Sequence, residues 1–208
     1  MSDMTKQDAL QRFVSTKINR LYLQKDAGVS AAIAELAQLR RGAGKVPTGY
    51  PHLMGMVLVL ENEDKEDKQA FPEQCRGKGD KPNGAEIAAY TALTLFALHQ
   101  QSQNQPMHDA KVSFGRAVGK LVGNTTSSMK KRFDSLLTAQ TENARQHYLR
   151  SLITLLRSKS IGFNYGQFAV DYMYLQNSST RKNVLYRWNC EFSYGLVPPR
   201  SEDSKTTE

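Results

Sequence analysis

Apolar residues recur every three or four positions along most of the chain, a spacing that is typical of amphipathic helices. In residues 8–24 charged residues, Lys17 among them, fall between the positions of the apolar stripe. A second helix is predicted from Ser30, whose hydroxyl can cap the first turn, to Gly42, which can end it. The N-terminal part of the chain therefore predicts a helical fold.

The stretch that follows is less regular. Residues 42–51 predict a loop because they are rich in Gly and Pro. Residues 53–60 form an apolar run that fits a helix or a strand, and we assign it to a helix. Residues 61–82 are charged, contain Gly and Pro, and have no apolar stripe. We expect this segment to be a mobile surface insertion.

A strongly apolar helix comes next. Asn83 and Glu86 have the spacing of a capping box, and residues 87–98 are apolar on nearly every side. Residues 87–98 are too few to span a bilayer, which needs about 20 residues, so such a helix belongs at the centre of a core. The polar residues 99–112 then predict a linker.

The second half predicts four or five more helices. Their expected ranges are 113–122, 126–139, 141–158, 164–177 and 180–194, with Asn164 and Gln167 as another capping-box pair. The fold class is therefore all-α, with two packed helical bundles and about eight to nine helices. We expect an N-terminal helical domain over 1–104, a basic helical bundle over 105–195 and a disordered tail over 196–208.

Positive charge is concentrated in the second half. The net charge of the chain is +8, but residues 111–190 hold thirteen Lys and Arg against three Asp and Glu. A one-signed field of this kind favours a polyanion, and nucleic acid is the main polyanion of the cytoplasm. A charged N-terminus without a signal peptide and two distant cysteines also favour a cytoplasmic protein without membrane contact.

Catalytic motifs are weak. The string GRAVGK at 115–120 has three residues between its glycines where a phosphate-binding loop needs four. Ser127 to Lys130 match S-x-x-K without the partner motifs of that enzyme class. The four histidines are far apart in the sequence, which favours surface or core roles. We therefore expect no enzymatic activity, no cofactor and no metal site.

Helical projection selects some of the basic residues. On helix 141–158, Arg150 and Arg157 share the face opposite the apolar arc, about 10 Å apart, where they can contact phosphates of one strand. Lys131 is the most outward cation of helix 126–139. Trp188 is expected in the core, and the spacing of the tyrosines suits packing better than base stacking. The tyrosines concerned are Tyr165, Tyr172, Tyr174 and Tyr186.

Several segments in a fixed order resemble a known family. These are AELAQLRRGAGKVP, VSFGRAVGKL, the stretch from MKKRFDSLL to QFAVDY, and RKNVLYRWNCEFSY. Over about residues 30–195 the chain is similar to the CasB family, the small subunit of the type I-E CRISPR Cascade complex. The resemblance implies an all-helical, non-catalytic subunit that braces the guide RNA and target strand and holds displaced DNA on a basic surface. It also implies partners: other Cascade subunits, guide RNA, target and displaced DNA, and a second copy of the chain.

Twelve cations are the candidate nucleic-acid-binding residues, and sequence-independent contacts to phosphates in an R-loop are their expected role. They are Arg40, Arg41, Arg116, Lys120, Lys130, Lys131, Arg132, Arg150, Arg157, Arg181, Lys182 and Arg187. The alternative function is a stand-alone helical RNA- or DNA-binding regulator. A nuclease is disfavoured, because the basic half lacks clustered carboxylates.

Overall fold

The computed structural model describes residues 4–61, 68–123 and 127–197. Within these ranges the chain forms nine α-helices and one antiparallel two-stranded sheet, so the all-α prediction is confirmed. The helices are α1 (Lys6–Asp26), α2 (Ser30–Gly42), α3 (Pro51–Val57), α4 (Gly84–His99), α5 (Phe114–Val122), α6 (Ser127–Thr138), α7 (Glu142–Ser158), α8 (Tyr165–Leu175) and α9 (Ser178–Leu196). The strands are β1 (Val59–Glu61) and β2 (Lys68–Ala70).

Side-chain caps explain where most of these helices begin. Asn83 and Glu86 form the predicted capping box at the start of α4. Asn164 accepts a hydrogen bond from the backbone of Gln167, but the Gln167 side chain donates to Asp171 instead of completing a box. The predicted Ser30 cap is wrong: Ser30 is already helical, and no side chain caps α2.

The segment after α2 differs from its prediction. The apolar run 53–60 is divided, because α3 ends at Val57 and β1 pairs with β2 in the register Val59–Ala70. Phe71 and Cys75 are buried, so this part of the expected surface insertion packs on the core. Residues 62–67 of that insertion and residues 198–208 of the expected tail lie outside the described ranges.

Helix α4 is the centre of the core, as its all-round apolar pattern predicts. Helices α1, α2, α7 and α8 pack around it, and one continuous cluster of buried residues joins the two halves of the chain. Trp188 is buried against Phe114 and Phe168, which confirms its core assignment. The boundary near residue 104 stays a prediction. No helix in the described ranges is both long and apolar enough to cross a membrane.

Lys17 departs from the expected polar face of α1. Only 1% of the residue is exposed, and its Nζ donates to the carbonyls of Met56 and Val59 and pairs with Glu35 at 2.9 Å. A buried ammonium group is tolerated when its donors have acceptors. Lys17 thus joins α1 to α2, to the last turn of α3 and to the start of β1.

Helices α5 and α9 cross with their backbones in contact. A Cβ atom at Gly115 or Gly119 would overlap the carbonyl oxygen of Trp188 or Phe192, and one at Gly195 would overlap that of Arg116. The glycines of the GRAVGK string therefore serve close helix packing, because only a hydrogen side chain lets the two backbones approach this far.

Replacing Gly119 with alanine tests this crossing. We expect Gly119→Ala to lower the free energy of unfolding by about 2–3 kcal/mol, because the added methyl group must push one backbone away from another. The matched control is Gly55→Ala in α3, where a Cβ meets no atom within 4 Å. Better helix propensity should make that variant neutral or slightly more stable. Urea unfolding measures both, and equal effects would contradict the close-packing role.

A buried histidine predicts a pH dependence of stability. His99, at the end of α4, is fully buried, its Nδ1 lies 3.0 Å from the Tyr165 hydroxyl, and burial lowers its pKa from 6.5 to about 3. As the pH falls below 6.5, His99 therefore binds a proton in the unfolded chain but not in the folded chain. Between pH 6.5 and 5 this group alone should cost about 2 kcal/mol of stability.

Unfolding free energies at pH 7 and pH 5 measure this loss. We expect His99→Gln to remove that part of the pH dependence, whereas the exposed His52 serves as the control in His52→Gln and should leave it unchanged. The same slope in the wild-type protein and in His99→Gln would contradict the assignment. His108, whose pKa burial also lowers, contributes in the same direction in all three proteins.

Candidate nucleic-acid interface

All twelve candidate cations lie in described parts of the chain. Nine are exposed: Arg41, Arg116, Lys120, Lys130, Lys131, Arg132, Arg150, Lys182 and Arg187. Three are half-buried: Arg40, Arg157 and Arg181. Their partners separate the cations that face solvent from those that hold the fold together.

One basic cluster forms where α7 meets the end of α2. The Arg150 Nη1 donates to the Ala43 carbonyl oxygen at 2.5 Å. Gly44 makes this approach possible, since its φ is +75° and a Cβ would lie 2.7 Å from the Arg150 side chain. Arg40 and Arg41 occupy the last turn of α2, immediately before this contact. Residues more than 100 positions apart thus meet.

Lys45 belongs to the same cluster, although sequence reasoning missed it. Its Nζ is exposed, donates to the Tyr50 hydroxyl at 2.5 Å and lies 4.4 Å from the centre of the Tyr50 ring. The only signal was a lysine in a Gly-rich loop just after Arg40 and Arg41. We call Arg40, Arg41, Lys45 and Arg150 the α2–α7 cluster.

A second group lies beside the α5–α9 crossing. Arg116 and Lys120 are exposed on α5, four residues apart, and Arg187 is exposed on α9. Arg116 lines a surface cleft of about 230 Å³ together with Tyr194, and Lys111 is a further cation there that sequence reasoning missed. We call Lys111, Arg116, Lys120, Lys182 and Arg187 the α5–α9 cluster; Lys182 is exposed near the start of α9.

Glu191 is the carboxylate of this cleft. Burial is the main cause that raises its pKa, and Arg187 lowers it again. One of its oxygens, Oε2, is buried without a hydrogen-bond partner among the described residues. The acid therefore opposes the cations of the cleft less than an exposed carboxylate would, because its charged form is disfavoured.

Helix α6 carries three neighbouring cations. Lys130 pairs with Asp134 at 2.8 Å, one turn further along the helix, with both side chains about half exposed. Such a surface pair contributes little, so Lys130 can exchange Asp134 for another anion. The side chains of Lys131 and Arg132 have no hydrogen bond or ion pair with any described residue. The outward position predicted for Lys131 is confirmed.

Besides Arg150, three of the twelve cations contact neighbouring parts of the fold. Arg157 contacts the end of α4, where its Nη1 lies 2.7 Å from the Gln101 side chain and 3.4 Å from the Leu98 carbonyl. Arg181 donates to the Leu175 carbonyl at the end of α8. Arg187 pairs with the buried Asp171. The expected contact of Arg150 and Arg157 with one strand stays a prediction, because the Arg157 side chain already donates to the Leu98 carbonyl and to the Gln101 side chain.

We call residues 111–190 the basic block. Each carboxylate within it pairs with a cation of the same block. Asp134 pairs with Lys130, Glu142 with Arg145 at 3.0 Å, and Asp171 with Arg187. Burial raises the pKa of Asp171, while Arg187 and the Trp188 indole, which donates to it at 2.7 Å, lower it. The other ten cations of residues 111–190 thus have no acid from the same block.

The tyrosines do not all behave as expected. Tyr165 and Tyr172 are buried, and Tyr174 is partly buried, which fits their predicted packing role. Tyr186 is 73% exposed, so the packing interpretation is wrong for this residue. Tyr194 is 65% exposed on the same helix. In the described ranges, no three His, Cys, Asp or Glu side chains come together as they would around a metal ion.

Comparisons with known proteins agree with this architecture. The family model of CRISPR-associated protein Cse2 matches residues 35–192. The crystal structure of CasB from Thermobifida fusca is 29% identical, covers 88% of this chain and 97% of its own, and has a TM-score of 0.69. A Cse2-family CRISPR-associated protein from Thermus thermophilus is 23% identical, covers 89% and 97%, and shares the fold with a TM-score of 0.60. Curated protein sequences gave no match.

Proposed function

Since the chain belongs to the Cse2 (CasB) family of CRISPR Cascade subunits, we propose that it binds nucleic-acid phosphates without catalysis and stabilises the R-loop of that complex. The observation that carries this proposal is the unpaired positive charge of residues 111–190. Ten cations there have no acid from the same block, and most of them are exposed. A surface of this kind attracts a polyanion.

The contacts go to phosphates rather than to base edges. A subunit that accepts any target must be neutral to sequence, and exposed Arg and Lys side chains suit the phosphates of a strand, which are the same for every sequence. Base pairing in an R-loop is nearly balanced between the old and the new duplex. A few backbone contacts of about 1 kcal/mol each therefore suffice to shift the balance toward the open state.

The proposal includes the partners that the family resemblance implies. These are the other Cascade subunits, the guide RNA, the target and displaced DNA strands, and a second copy of the chain, all in the cytoplasm. We assign the α2–α7 cluster and the cations of α6 to the phosphates first. The reason is that Arg41, Lys131 and Arg132 are exposed and their side chains make no hydrogen bond or ion pair with the described part of the chain.

Charge reversal of two free cations tests the function. We expect Arg41→Glu with Lys131→Glu to weaken binding of the full chain to a 30-nucleotide single strand by about tenfold or more. Each lost phosphate contact should also reduce the slope of log K against log salt by about 0.7. In assembled Cascade, the same variant should shorten the lifetime of the R-loop on a labelled target.

The matched control has the same change of net charge. Arg12→Glu with Lys78→Glu alters two exposed cations outside the clusters and should keep the wild-type salt slope. Equal losses in both variants would mean that only the total charge matters and would overturn the assigned surfaces. Tight, sequence-selective binding by the lone chain would instead support a stand-alone regulator.

A further inference from the structure

Two tyrosines on α9 are exposed to solvent and do not belong to the core. The exposed fractions are 73% for Tyr186 and 65% for Tyr194, whereas Tyr90, Tyr165 and Tyr172 are fully buried. Eight residues of helix separate the two phenols by about 12 Å along the axis. Cys190 follows Tyr186 by one helical turn and Tyr194 follows Cys190 by another, so the three side chains form one row along the helix.

Positive charge flanks this row on both sides. Lys182 precedes Tyr186 by one helical turn, and Arg187 follows it directly. Tyr194 lines the same cleft as Lys111 and Arg116, and Lys120 lies one turn beyond Arg116 on α5. Glu191, half-buried, is the one acid in the sequence of α9. Cations thus lie near each tyrosine: Lys182 and Arg187 near Tyr186, and Lys111 and Arg116 near Tyr194.

We propose that Tyr186 and Tyr194 stack on unpaired bases of a single strand whose phosphates lie on the α5–α9 cluster. The inference rests on the proposed function and deepens it, since it names the side chains that contact the bases of the strand. Every base has a flat aromatic face, so stacking on a tyrosine holds a strand without reading its sequence. A spacing of about 12 Å corresponds to three or four nucleotides of a stacked strand at about 3.4 Å each.

The chemistry of the face favours a single strand over other occupants. In a duplex the faces of the bases are covered by their neighbours, so a tyrosine on a helix surface has no base to stack on. A protein partner would have to supply an acidic surface to match Lys182, Arg187 and Arg116. A single strand supplies phosphates and exposed rings together.

Oligonucleotides with and without bases separate stacking from charge. We expect the full chain to bind a 30-nucleotide thymidine strand more tightly than an abasic strand of the same length. Tyr186→Ala and Tyr194→Ala should each weaken binding to the thymidine strand at least about fivefold, which is the low end for one stacked base. Their affinity for the abasic strand and their salt slope should not change, because the phosphate contacts remain.

Conservative and matched variants make the result specific to the rings. Tyr186→Phe and Tyr194→Phe should keep the wild-type affinity, since the aromatic face remains. The control Leu23→Ala with Ile33→Ala removes two exposed apolar side chains elsewhere, 63% and 48% exposed, and should bind both strands normally.

Each other outcome decides against stacking. Wild-type affinity of both alanine variants for the thymidine strand would overturn it, and the phosphate-binding function would stand if Arg41→Glu with Lys131→Glu still weakened binding. Normal DNA binding with failed incorporation into Cascade would identify the row as a protein contact. If the charge variants also bound normally, the proposed function itself would fail.

Discussion

The contact between the backbones of α5 and α9 is the constraint on which the C-terminal half depends. Because Gly115, Gly119 and Gly195 carry no Cβ, the two helices approach until carbonyl oxygens meet α-carbons. That approach buries Trp188 against Phe114 and Phe168. The Trp188 indole in turn donates a hydrogen bond to Asp171 of α8. The same crossing brings Arg116 of α5 beside the exposed Tyr194 of α9, so packing and this part of the candidate surface have one origin.

The N-terminal half reaches the other cluster through a comparable close approach. Gly44 lets Arg150 lie against the chain just after α2, and this contact orients the last turn that holds Arg40 and Arg41. In both places glycine gives up side-chain contacts and lets a basic helix approach another backbone. The cations then differ in their partners. The side chains of Arg150, Arg157, Arg181 and Arg187 contact a carbonyl or a buried acid, whereas those of Arg41, Lys131 and Arg132 have no partner among the described residues.

The sequence was most informative where one local rule decides the outcome. Helix limits followed from caps such as Asn83, and Trp188 belonged to an apolar stripe. Tertiary contacts decided the remainder: Lys17 is buried because backbone carbonyls reach it from residues about 40 positions away, and Arg157 contacts α4 for a similar reason. Tyr186 shows the opposite case, since a ring with core-like spacing faces solvent where no element of the described ranges covers that side of α9. Periodicity identifies a face but not what packs on it.

The pairing of charges links stability to function. Asp134, Glu142 and Asp171 are each bound to a cation of the same block, so the remaining positive charge must be compensated by ions from solution. Repulsion among these cations works against the compact state. A bound strand relieves the repulsion and releases the counterions of its phosphates, so it stabilises the folded chain while it binds. The charge surplus that weakens the isolated protein is therefore the same property that favours a polyanionic partner.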